Sequence, residues 1–203
     1  RAHITAISNS HPQTEHIRSA AQRRGLRNLR VMKTDVNMLS LEETFDRVFS
    51  VEMFEHVRNY GELFTRVAQW LRPGGKAFIH VFTHRNMPYL FEDRGETDWM
   101  TRYFFAGGIM PSRDLFLRFQ QELRVEKIWD ISGRHYALTL ESWLRQLDVR
   151  REDALAVMRT HYGADQARLW FQRWRMFLMA CAELFAYRQG REWGVTHYRF
   201  VGE

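Results

Sequence analysis

The segment from Arg47 to Phe82 restricts the fold more than any other. Two short apolar runs, Arg47–Val51 and Ala77–Phe82, read as buried parallel strands. Between them Tyr60–Leu71 has helical spacing, with Leu63, Phe64, Val67, Trp70 and Leu71 on one face, and Pro73-Gly74-Gly75 stops the helix. Strand, polar mouth, helix and strand make a βαβ unit. Such units take ligands just beyond the carboxyl ends of their strands. Glu52, Glu55 and His56 stand at that position, two carboxylates and an imidazole within five residues.

The flanking sequence continues the pattern. His3–Ile7 reads as a strand, Ser10 as the N-cap of a helix over Gln13–Arg24 closed by Gly25, and Leu29–Lys33 as the next strand, ending at Thr34-Asp35-Val36. Thr83–Ser112 is long, irregular and rich in aromatics and charges, as lids and binding loops are. Ser112 is expected to cap a helix reaching about Leu123, followed by a strand over Arg124–Ile131. Helices are then expected over Leu138–Leu147, Arg151–His161 and Ala164–Arg188, and a last strand over Trp193–Phe200. The chain opens directly on a strand, and no glycine-rich strand-to-helix turn able to approach a cofactor follows. The sheet is therefore expected to lack its first βα unit, and the chain to be incomplete at its N-terminus.

A length of 203 residues, 45% of them hydrophobic, suits one domain with a sizeable core. No apolar run approaches the roughly 18–20 residues of a membrane span, and no signal-peptide pattern opens the chain. The one cysteine, Cys181, excludes an internal disulfide and suits a reducing compartment, so the cytoplasm is the expected location. The net charge of +6 comes with arginine clusters at Arg18–Arg30 and Arg145–Arg151. These read either as solvated helix faces or as a peripheral contact for anionic lipid heads. Without zinc spacing or a nucleic-acid-binding signature, nucleic acid is not an expected partner.

Glu52, Glu55 and His56 are candidate bases at a strand end. If the segment from Glu52 is helical, Glu52 and His56 lie one turn apart and converge. The bland alternative is a solvated, dipole-favoured helix start. His80, near the end of its strand, reads either as a hydrogen-bonded core residue or as part of the same site. Glu92, Asp93 and Asp98 could pair a substrate ammonium or lie on the loop surface. The aromatics Tyr89, Phe91, Trp99, Tyr103, Phe104 and Phe105 could line an apolar or cation-holding pocket or pack the cap. No metal site is expected.

Six segments together carry a resemblance: Ile4-Thr5-Ala6-Ile7-Ser8-Asn9-Ser10, Val51-Glu52-Met53-Phe54-Glu55-His56, Phe91-Glu92-Asp93, Asp98-Trp99-Met100-Thr101-Arg102-Tyr103-Phe104-Phe105, Gly107-Gly108-Ile109-Met110-Pro111-Ser112 and Gly133-Arg134-His135-Tyr136. They resemble class I S-adenosylmethionine-dependent methyltransferases. More narrowly, they are similar to the family joining cyclopropane fatty acid synthases and mycolic acid methyltransferases to coclaurine N-methyltransferases. The resemblance implies a doubly wound, Rossmann-like α/β sheet without its first βα unit. It also implies a single domain over 1–203 with cap insertions at about 83–112 and 133–190. S-adenosylmethionine is the implied cofactor, with Ser8, Asn9 and Gln13 near its ribose, Asp35 and Val36 flanking adenine, and Val51 and His56 along its edge. Glu52, Glu55, His56, His80 and Tyr136 are the implied catalytic set. The implied reaction is methyl transfer to a small amine or similar nucleophile. The alternative is lipid biosynthesis by methylene transfer to the double bond of a membrane lipid acyl chain. In that alternative the residues matching Glu55, His80 and Tyr136 hold a bicarbonate ion.

Overall fold

The computed structural model describes residues 2–202. The chain divides into two compact units, Arg1–Thr44 and Phe45–Glu203.

In the first unit, strand β1 (Ile4–Ser8) leads into helix α1 (His11–Arg23) and returns to strand β2 (Leu29–Lys33), which pairs with β1 in parallel. Ser10 caps α1 as expected, its hydroxyl accepting from the Gln13 amide at 3.4 Å. The exit is the expected glycine turn, with Gly25 at φ +63°. After β2, Asp35 accepts from the Asn37 amide at 2.8 Å and so starts the one-turn helix Val36–Met38.

The second unit is built on a four-stranded mixed sheet. Strand β3 (Phe45–Val51) runs through helix α2 (Tyr60–Trp70) to strand β4 (Leu71–His84), parallel to β3. This is the βαβ unit read from the sequence. The pairing jumps from Leu71 to Lys76, so the Arg72–Gly75 turn bulges out and Gly74 takes φ +72°. After the short hairpin of β5 (Tyr89–Leu90) and β6 (Ile109–Met110), strand β7 (Leu123–Ser132) leads into helices α3 (Gly133–Val149), α4 (Arg151–Tyr162) and α5 (Ala167–Gly190). Strand β8 (Trp193–Gly202) then inserts antiparallel between β4 and β7, giving the order β3-β4-β8-β7.

Alternation along β4 separates the two faces of this sheet. Ala77, Ile79, Val81 and Thr83 are buried on one side. There an aromatic cluster joins Phe54, Tyr60 and Phe64 to Phe116, Tyr198 and Phe200 at centroid separations of 4.8–6.2 Å. Phe78, His80, Phe82 and His84 point the other way. Phe82 belongs to the core of the helical cap, packed with Ala137, Leu140, Leu178, Cys181 and Phe185. Burial pushes the Cys181 thiol up to about 12, as suits a side chain used only for filling.

Two sequence expectations fail here for identifiable reasons. The helix over 112–123 is reduced to one turn, Leu115–Arg118. Ser112 is tied to His84 by a β-bridge and its hydroxyl bonds the Asp114 carboxylate, while Phe116 is drawn into the aromatic cluster. Tertiary packing outweighs helical spacing. The stretch from Glu52 is not helical either. Glu52 has φ +51°, and only the turn Phe54–His56 follows. The 83–112 segment is also more ordered than a loop. Besides the hairpin it contains a π-turn, Thr101–Phe105, whose Phe104 stacks on Phe177 at 4.2 Å and whose Arg102 grips Asp93 through two hydrogen bonds. Helix α5 starts at Ala167 and loses helical geometry at Tyr187, with positive φ at Arg188 and Gln189.

Candidate active site

Where β3 ends, the chain turns sharply. The Glu52 amide still donates to the His80 carbonyl at 3.1 Å, but its backbone is left-handed, a conformation costing a non-glycine residue on the order of 1 kcal/mol or more. The strain swings the Glu52 side chain onto the cap-facing side of the sheet. There its Oε1 lies 2.8 Å from His80 Nε2, and its Oε2 accepts from the Tyr136 hydroxyl at 3.3 Å.

Each partner is held by its own surroundings. His80 sits at the carboxyl half of β4, one strand in from the sheet edge. Tyr136 lies in the first turn of α3, which Ser132 caps by accepting from the Arg134 amide. A Cβ on Gly133 would lie 2.1 Å from the Trp193 carbonyl oxygen and 2.3 Å from that of Phe185, so only glycine lets this helix start press so closely on β8 and α5. The Tyr136 ring rests on Phe185 at 4.5 Å. Burial first, and then the charge of Glu52, hold its phenol well above the usual range, so it remains a donor.

Glu55 lies behind this group and is only 1% exposed. Its turn is anchored by Phe54 in the aromatic cluster, and the Tyr60 hydroxyl donates to the Phe54 carbonyl at 3.0 Å. Gly108 of the cap comes down on the same turn; a Cβ there would be 2.9 Å from the Glu55 carbonyl oxygen. Arg58 reaches across to the Gly107 carbonyl at 2.9 Å. Burial, with the neighbouring charge of Glu52 second, pushes the Glu55 carboxyl up to about 9. One of its oxygens, Oε2, is buried without a hydrogen-bond partner. At neutral pH Glu55 is therefore a neutral acid.

Of the residues that the resemblance implied, Glu52, His80 and Tyr136 meet, with Glu55 beside Glu52. His56 does not join them. The left-handed Glu52 and the short turn after it remove the helical geometry that would have brought the two side chains together, and His56 is exposed. One member was missed: His197 on β8, directly opposite His80 in the ladder, places Nε2 at 2.9 Å from His80 Nδ1. Nothing in a lone histidine on a predicted terminal strand marks it. Only the antiparallel register of β4 and β8 pairs the two.

The remaining predicted residues have plainer settings. Ser8 Oγ lies 2.8 Å from Gln13 Oε1 and accepts from the Ser10 amide, and Asn9 follows at the carboxyl end of β1. Asp35 and Val36 follow the carboxyl end of β2, and Val51 is 60% exposed at the end of β3. Glu92 pairs with Arg94 and Asp93 with Arg102, while Asp98 accepts from the Arg94 amide. These acids are engaged within the cap rather than offered to a ligand. Most of the cap aromatics pack: Phe91 and Phe105 stack at 5.1 Å, and the Trp193 indole donates to the Tyr89 hydroxyl at 3.0 Å. A groove of about 280 Å³ is lined by Arg47, Phe49, Lys76, Ala77, Phe78 and Arg199 and includes none of these site residues. Bicarbonate does not fit between His80 and Tyr136, because the Glu52 carboxylate already accepts from both.

Glu52 at the carboxyl end of β3, His80 on β4 and Tyr136 on α3 thus meet beneath a helical cap on an α/β fold. A family model described as mycolic acid cyclopropane synthetase matches residues 1–192. The chain belongs to that family. It is similar to (S)-coclaurine N-methyltransferase of Thalictrum flavum subsp. glaucum, with 34% identity over 201 residues covering 97% of this chain and 56% of the relative. A crystal structure of coclaurine N-methyltransferase bound to N-methylheliamine and SAH superposes with a TM-score of 0.91 at 33% identity, covering 98% of this chain and 60% of that one. A mycolic acid cyclopropane synthase complexed with SAH and CTAB has the same fold, with a TM-score of 0.78 at 22% identity and coverage of 97% and 69%. The chain spans a little over half the length of the curated relatives that it matches first. No helix among the described residues is long and apolar enough to cross a membrane.

Proposed function

We propose that this chain is the core of an S-adenosylmethionine-dependent methyltransferase whose acceptor is a small amine, with 1–203 as one methyltransferase domain and the segments 83–112 and 133–190 as its cap. The observation that carries this reading is the Glu52 carboxyl at the end of β3, held on one oxygen by His80 and on the other by Tyr136, with the buried Glu55 behind it. Similarity to coclaurine, pavine and tetrahydroprotoberberine N-methyltransferases supports it.

S-adenosylmethionine, when bound, supplies the electrophilic methyl group. The polar groups that follow β1 and β2 fit a nucleoside. The Ser8 hydroxyl, Asn9 and Gln13 offer donors and acceptors for a ribose, and Asp35 with Val36 offers a carboxylate and an apolar edge for adenine, all at the carboxyl ends of parallel strands. Within the second unit, Val51 and His56 at the carboxyl end of β3 are the proposed cofactor contacts. An ammonium acceptor must lose a proton before its nitrogen can attack. A carboxylate has about four lone-pair positions and Glu52 gives up only two to His80 and Tyr136, so it can receive that proton without losing its braces. Glu55, already protonated, does not compete for it. His56, exposed at the mouth, is left to contact ligand. The cytoplasm remains the proposed location, on the reducing environment that the one cysteine suits.

A second reading is favoured by the name of the matching family model: methylene transfer to an unsaturated lipid acyl chain. Labelled S-adenosylmethionine offered with small amines, coclaurine among them, or with unsaturated phospholipid vesicles separates the two. Label is expected in the amine fraction. Label in the lipid fraction alone overturns the first reading.

A further inference from the structure

The Glu52 carboxylate is the end of a longer chain of groups across the sheet. His80 has both ring nitrogens engaged: Nε2 at 2.8 Å from Glu52 Oε1 and Nδ1 at 2.9 Å from His197 Nε2. The two rings face each other at 4.8 Å with a 34° tilt, and His197 is wedged from beside by Phe78 at 5.1 Å. Trp129 of β7 is its ladder partner on the far side. His197 lies too far along the sheet to reach Glu52 except through His80.

Chemistry fixes the direction of the chain. A carboxylate oxygen only accepts, so His80 Nε2 must carry a hydrogen. A neutral His80 then presents a bare lone pair at Nδ1, and the group facing it must donate. Burial lowers the affinity of His197 for a second proton, and its neutral imidazole carries one N–H to give.

We propose that His197 is a positioning residue: its Nε2–H donates to His80 Nδ1, locking His80 in the tautomer and ring plane that aim Nε2–H at the Glu52 carboxylate. The inference rests on the reading of Glu52 as the base, but its structural half does not. Without His197 the His80 ring exchanges tautomers and can rotate about its side-chain axis, and Glu52 loses the better of its two braces. At metal sites, partners that accept the free ring N–H of a ligating histidine fix its tautomer and ring plane in a comparable way.

The test uses the full chain with His197→Phe, which keeps a ring against Phe78 and Trp129 but no nitrogen, and His197→Gln, which keeps an N–H. Imidazole nitrogen NMR of the 15N-histidine-labelled proteins, with His80 assigned from a His80→Gln variant, reads the tautomer without any turnover. In the parent and in His197→Gln, His80 is expected to show a protonated Nε2 and a bare Nδ1; in His197→Phe, averaged signals. In amine methylation, His197→Phe is expected to lower kcat about tenfold with KM within twofold, and His197→Gln to restore most of it. His80 signals unchanged in His197→Phe overturn the proposal whether or not any amine is methylated. Equal losses in both variants, with KM moving alongside kcat, overturn it in favour of a purely structural histidine. Failure of every amine with the tautomer shift intact would instead remove the base assignment and leave the His197–His80 lock standing.

Discussion

Glu52→Gln is expected to lower methyl transfer to amines by roughly two to four orders of magnitude, the usual worth of a positioned general base, while cofactor binding measured by calorimetry stays within a few-fold. The amide oxygen can still accept from His80, and the Tyr136 hydroxyl can turn to accept from the new NH2, so the site keeps its shape, but the amide cannot take a proton from an ammonium. Glu52→Gly is the sharper variant. Its φ of +51° is native to glycine, so the backbone relaxes. The vacated space is then faced by the His80 and Tyr136 donors that had held the carboxylate. Added formate is expected to enter that space and restore part of the rate to Glu52→Gly but none to Glu52→Gln. Activity in Glu52→Gln equal to that of the parent would remove Glu52 from the mechanism.

The second large effect concerns stability. Glu55 keeps its proton up to about 9 in the folded chain and releases it near the ordinary glutamate value of 4.5 when unfolded. Between those values the folded state binds more protons, so stability falls as pH rises through the window and levels off above it. Glu55→Gln carries no charge at any pH and escapes this loss. Its urea midpoint is expected to match that of the parent near pH 5 and exceed it clearly at pH 9.5. Because the native acid is already neutral at pH 7, the same variant is expected to retain activity there within about tenfold. Parallel pH dependence of the two midpoints would show that Glu55 is not the buried acid described.

Much of this could be read in the chain because local chemistry and tertiary outcome agree. The Ser10 cap, the strand Leu29–Lys33 and the helix starting at Tyr60 are set by their own residues. The pairing of Glu52 and Glu55 at a strand end was equally plain. What escaped depends on distant contacts. His197 acquires a role only when β8 folds back beside β4, more than a hundred residues away in sequence. Glu52 adopts a backbone that its residue type disfavours, which no propensity anticipates. The 112–123 segment has helical spacing, yet Phe116 goes to a cluster on the sheet and Ser112 to His84, so spacing misleads.

Cys181 has a practical consequence. It sits inside the α3–α5 packing with its ionisation pushed to about 12, so alkylating reagents find neither access nor thiolate while the helices stay together. The chain has no other sulfhydryl. The rate of its modification is therefore a clock for the opening of the cap, a natural reporter that needs no engineered label.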